Sequence, residues 1–99
     1  MYNNFMPHPA KTVNGAVTAG STDIVITEQP IGTNAMRLTN SGSQIVFWKY
    51  GAGAASLTTS TPLLPNTSEI FECPYTIGTL AVIATAIGST LYVTPGIGS

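Results

Sequence analysis

From Ala35 to Tyr50 hydrophobic and polar positions trade places with a period of two. Met36 and Leu38 alternate with Arg37 and Thr39. Asn40-Ser41-Gly42-Ser43 supplies turn chemistry, and Gln44 to Tyr50 runs back before Gly51. Alternation, β-branched and aromatic residues, and a short turn of Asn, Ser and Gly together predict a β-hairpin. One face of the return strand carries Val46, Trp48 and Tyr50, and the other carries Ile45, Phe47 and Lys49. A sheet with one solvated face alternates apolar with polar. This strand therefore either lies between two layers or offers one face as a contact surface. Val46, Trp48 and Tyr50 are assigned to the core, because Lys49 most easily points outward.

The same reading extends along the chain. Val13 to Val17 is a weak strand, and Asp23 to Glu28 a firmer one with Ile24 and Ile26 on one face and Val25 on the other. The small residues of Gly51-Ala52-Gly53-Ala54-Ala55 permit a loop or an edge strand close to other backbone. Pro62 and Pro65 flank Leu63-Leu64 and resist central pairing. Glu69 to Cys73 reads as a strand ended by Pro74. Thr79 to Thr94 predicts a second hairpin turning at Gly88-Ser89. Residues 1–12, with Pro7 and Pro9 around His8, predict an extended N-terminal arm, and residues 13–99 a β-sandwich domain. The expectation is an all-β, single antiparallel β-sandwich or jelly roll of about seven short strands.

Composition narrows the function classes. Charged residues make up 7% of the 99, with Lys11, Arg37 and Lys49 against Asp23, Glu28, Glu69 and Glu72, for a net charge of −1. Binding to nucleic acid requires several cationic contacts to phosphate, so no nucleic-acid partner is expected. A polybasic membrane anchor is excluded on the same ground. A free monomer usually stays soluble through a mixed charged surface. Here Thr and Ser carry most of the polarity, so partners are expected to cover part of the surface. Cys73 is alone, which excludes an intramolecular disulfide. Met1 to Phe5 lacks a basic region followed by an apolar run, so no secretion signal is expected, and Asn66-Thr67-Ser68 reads as a turn rather than a glycosylation site. The uncharged stretch from Cys73 onward is interrupted by Gly78, Gly88, Ser89 and Thr90, which fits strands better than a membrane helix.

No catalytic constellation is visible. His8 is the sole histidine and sits in a proline-rich arm, a poor setting for preorganised chemistry. Cys73 has no neighbouring cation or second Cys to lower its pKa. Glu69 and Glu72 lie three apart on a strand, so they point to opposite faces. One His, one Cys and four scattered acids do not make a metal site. Gly51-Ala52-Gly53 and Gly96-Ile97-Gly98 lack nucleotide-loop spacing. The chain is expected to be no enzyme and to hold no cofactor or metal.

Several segments do match a known pattern. Arg37-Leu38-Thr39-Asn40-Ser41-Gly42 followed by Phe47-Trp48-Lys49-Tyr50-Gly51 resembles the "RxTNxG…FVRFG" of small structural proteins of tailed bacteriophages. Pro62-Leu63-Leu64-Pro65 with Glu69-Ile70-Phe71, then Leu80-Ala81-Val82-Ile83-Ala84, then Leu91-Tyr92-Val93-Thr94-Pro95-Gly96-Ile97-Gly98 continue the likeness in order, and Phe5-Met6-Pro7 is similar to the opening "FxP". Trp48 stands where a smaller residue is usual, Asn66 where a Gly is, and Ile97 where an acid is common.

The resemblance is to the capsid decoration, or cement, type. It implies a virion protein, made in the host cytoplasm and placed on the outer capsid surface. There it would bridge capsomers and stabilise the shell. Its expected partners are the major capsid protein and sibling copies, as a dimer or trimer, with no membrane. Tyr2, Phe5, Met6 and Pro7 of the arm, together with Ile45 and Phe47, are the expected protein-interface residues. A head-fibre base, tail or host-adhesion module of the same virion is the alternative.

Overall fold

The computed structural model describes residues 5–7, 12–26, 33–51, 53–72 and 78–97. They form strands only: β1 (Met6–Pro7), β2 (Val13–Val17), β3 (Thr22–Val25), β4 (Ala35–Gly42), β5 (Val46–Tyr50), β6 (Thr61–Leu63), β7 (Thr67–Glu72), β8 (Thr79–Ile83) and β9 (Ser89–Ile97). Two antiparallel sheets result. In the first, β9 lies between β4 and an edge shared by β1 and β2, and β7 follows β4. In the second the order is β3-β8-β5-β6. From β2 to β9 this is the strand order of a jelly roll. Every connection after β2 changes sheet except the one from β5 to β6. Two strands lie beyond the expected set: β1, a two-residue strand within the predicted arm, and β6. Pro62 of β6 lies in an edge strand, where a missing N–H costs no central ladder bond.

The core fills the gap between the sheets. Met36 and Leu38 from β4 and Leu91 and Val93 from β9 face Val46, Trp48, Leu80 and Val82 from β5 and β8, with Val17, Ile24, Ile26 and Leu63 around them. Val46 and Trp48 are buried as expected, and Tyr50 packs against the same cluster. Trp48 meets Tyr50 and Phe71 edge to face, with ring centroids 5.0 Å and 4.7 Å away. The molecule exposes 5253 Å², close to the roughly 5,400 Å² expected for a compact monomer of its mass. The single chain thus closes its own core.

Both predicted hairpins are corrected. β4 and β5 belong to different sheets, and so do β8 and β9. Asn40 to Ser43 is not a hairpin turn: β4 runs on to Gly42, and the chain then crosses the sandwich. The stretch around Gly88 makes a second crossing. Turn residues reverse a chain equally well within a sheet or between sheets. The choice went to the crossing that turns both apolar faces into one core. The two crossings interlock. Ser43 N–H donates to the Gly88 carbonyl at 3.3 Å, and Gln44 N–H to Ser89 Oγ at 3.0 Å. Ser89 Oγ–H in turn reaches the Gln44 carbonyl at 3.0 Å. A Cβ on Gly42, whose φ is +145°, would lie 2.2 Å from the Gly88 oxygen, so only glycine fits.

The arm lies along its own domain where it is described. Met6 pairs with Ile97 and Pro7 with Gly96, on the β9 edge that β2 continues. Thr12 Oγ1 and Thr94 Oγ1 share a hydrogen bond of 3.0 Å.

Candidate interaction surfaces

The jelly roll offers three surfaces: the outer faces of the two sheets and the end where the crossings meet. Among the described residues, no three His, Cys, Asp or Glu side chains come together as metal ligands. Glu69 pairs with Leu38 and Glu72 with Ala35, on opposite faces of β7 as their spacing requires. His8 and Cys73 fall outside the described residues. No described helix is long and apolar enough to cross a membrane.

The expected interface residues separate into two groups. Tyr2 falls outside the described residues. Phe5 lies on the outer face of the first sheet, with the Arg37 guanidinium 5.7 Å from its ring centroid. Met6 and Pro7 are strand partners of β9. Ile45 and Phe47 belong to the second sheet instead, so the structure does not bring the two groups together. Phe47 is half-buried, between Ile83 and Pro62 in register. Ile45 is 39% exposed at the crossing end.

Two further residues share that end. Leu64, just past β6, is 55% exposed, and Ile87, beside Gly88, is 75% exposed. Carrying the β5–β6 register one step beyond Val46 and Leu63 sets Leu64 opposite Ile45. Sequence reasoning passed over both. Adjacent Leu63 and Leu64 held the signal for one, since neighbours on a strand face opposite ways and only one can enter the core. Ile87 sits in a bend and carried no periodic signal.

The outer face of the first sheet is polar. A row runs Asn14, Tyr92, Thr39, Ser68 across β2, β9, β4 and β7. Thr39 and Ser68 hydroxyls bond at 2.6 Å, and Tyr92 stands exposed in the row.

The outer face of the second sheet carries Asp23, Ala81 and Lys49 in one row and Ile83 and Phe47 in the next. The chain after β5 reverses over this face. Gly51 bridges to Leu80 and donates its N–H to the Thr79 carbonyl at 2.7 Å. Ala55 N–H then donates to Ser21 Oγ, at the start of β3, at 2.8 Å. Gly53 passes beside Lys49 Nζ, and Ser21, Thr22, Asp23, Gly53 and Ala54 line one groove. The run of small residues therefore serves as a loop lying close on a sheet.

Comparison with protein-family models, with curated proteins and with solved structures finds no match.

Proposed function

We propose that this chain is a virion structural protein, a capsid decoration protein that binds the major capsid protein on the outer head surface and bridges capsomers. The observation that carries the reading is the end cluster. Ile45, Leu64 and Ile87 stand exposed at one end of a protein with only 7% charged residues. Large exposed aliphatic groups gathered on one region mark contact sites more often than chance surface. The likeness to tailed-phage decoration proteins supplies the partner.

The function is mechanical. Packaged DNA strains the seams between capsomers, and a bridging subunit adds interface across each seam. A standard contact buries about 800 Å² per partner. A subunit of this size has room for one contact with a sibling, in a dimer or trimer, and one with the shell. Many copies on a lattice then act with high avidity.

Electron microscopy of the phage particle encoding this sequence tests the reading, with density for the jelly roll on the outer head lattice as the expected result. The double variant Leu64→Asp, Ile87→Asp should keep its fold and fail to cosediment with heads. Full cosedimentation would remove the end cluster from the contact.

Tyr92 favours a second reading, the adhesion module. An exposed aromatic flanked by Asn14 and Thr39 on a hydroxyl-rich face has the chemistry that binds sugar rings. Glycan-array binding that Tyr92→Ala abolishes would favour it over decoration.

A further inference from the structure

Ala81 faces outward from the second sheet, since its strand neighbours Leu80 and Val82 enter the core, yet it is 0% exposed. Its cross-strand partners are Asp23 and Lys49, and the residues of the next row are Ile83 and Phe47. The cover over this row is the segment that follows Gly51. Gly53 and Ala54 share a groove with Asp23, and Ala55 is itself buried.

We propose that residues 53–56 form a strap, latched by Ser21, that conceals Ala81 beside the half-buried Phe47 and Ile83 of the next row and opens as a unit. Three features support it. The strap is attached in its middle by one side-chain latch, the bond from Ala55 N–H to Ser21 Oγ. Its near end has hinge glycines, Gly51 with φ +86° and Gly53 with φ +117°. Its far end is a self-contained turn, in which Ser56 Oγ accepts from Thr58 and Thr59 N–H and Ser60 Oγ accepts from Ser56 N–H. The covering side chains, Ala54, Ala55 and Ser56, are small and bury little apolar area. Segments with few buried contacts and few hydrogen bonds open at lower free energy than core strands. Closed, Ala81 is fully covered and Phe47 and Ile83 are half-buried; open, all three stand exposed beside Lys49 and Asp23.

The latch belongs to the isolated chain, so its test is separate from capsid attachment. Ser21 is exposed, and Ser21→Ala leaves the core untouched. Native-state hydrogen exchange should show the Ala55 amide exchanging about fivefold to tenfold faster in Ser21→Ala, the size expected for one lost hydrogen bond. The Thr39 and Tyr92 amides of the β4–β9 ladder should keep their wild-type rates, and binding of an anilinonaphthalene sulfonate dye should rise. Unchanged exchange at Ala55, faster exchange without added dye binding, or equal acceleration of the ladder amides would each overturn the strap.

Discussion

The Tyr50 hydroxyl donates to the main-chain carbonyl of Glu72, joining the second sheet to β7 of the first. This bond lies at the end of the sandwich opposite the interlocked crossings. Between the same strands Trp48 is wedged against Phe71 and Tyr50. The two ends of the jelly roll are therefore held differently, one by aromatic packing and one by backbone interlock.

The aromatic end makes a distinctive prediction. Trp48 Nε1 is buried without a hydrogen-bond partner among the described residues. Trp48→Phe removes that orphaned donor along with some apolar area, so the two effects oppose each other. The expected cost is about 1 kcal/mol, against about 3–5 kcal/mol for Trp48→Ala. Tyr50→Phe should cost about 1 kcal/mol, the worth of one hydrogen bond. Urea denaturation of the three variants measures the series. A Trp48→Phe cost equal to that of Trp48→Ala would contradict it.

Three glycines in different settings predict a graded series. Gly42→Ala meets backbone at 2.2 Å as well as a φ of +145°, and should destabilise by at least about 3 kcal/mol. Gly51→Ala has the positive φ without the clash, and should cost about 1–2 kcal/mol. Gly78→Ala has open space and no positive φ, and should stay within about 0.5 kcal/mol of wild type. Thermal unfolding orders the three.

Asn40 is buried at the start of the first crossing. Its Nδ2 donates to the Gln44 carbonyl at 2.7 Å and to the Leu63 carbonyl at 3.0 Å, joining β4 to the second sheet. Asn40→Ala deprives both carbonyls of this donor and should cost about 2–4 kcal/mol. Chemical denaturation that places it below 1 kcal/mol, roughly the worth of a single exposed bond, would show these bonds to be dispensable.

Phe5 distinguishes self-docking from interface use of the arm. Its contact with Arg37 should contribute about 0.5–1 kcal/mol. Phe5→Ala should therefore lower stability only slightly. If the arm also contacts the shell, the same variant should weaken cosedimentation with heads about tenfold or more, far beyond its effect on folding. Equal small effects on both would confine Phe5 to its own sheet.

Asn66 shows how local chemistry and tertiary geometry met. It is the described non-glycine residue with positive φ, at +56°. Asn tolerates that region better than most side chains. The turn was therefore legible in the residue type. Gly42 was legible only as turn chemistry, because its real constraint is the Gly88 oxygen of a distant crossing.

What the amino-acid order determined by itself was the face of each strand. Ile24 and Ile26, Met36 and Leu38, Val46 and Trp48 were readable as inward pairs, because side chains alternate along a strand whatever lies beside it. What the tertiary structure decided was the neighbour of each strand. A strand's edge offers the same N–H and C=O groups to any partner, so nothing local told β4 to pair with β9 rather than with β5. The contact residues divided the same way. Ile45 and Phe47 could be read as outward from alternation. The meeting of Ile45, Leu64 and Ile87 at one end, and the cover over Ala81, arose only when segments distant in sequence folded against one another.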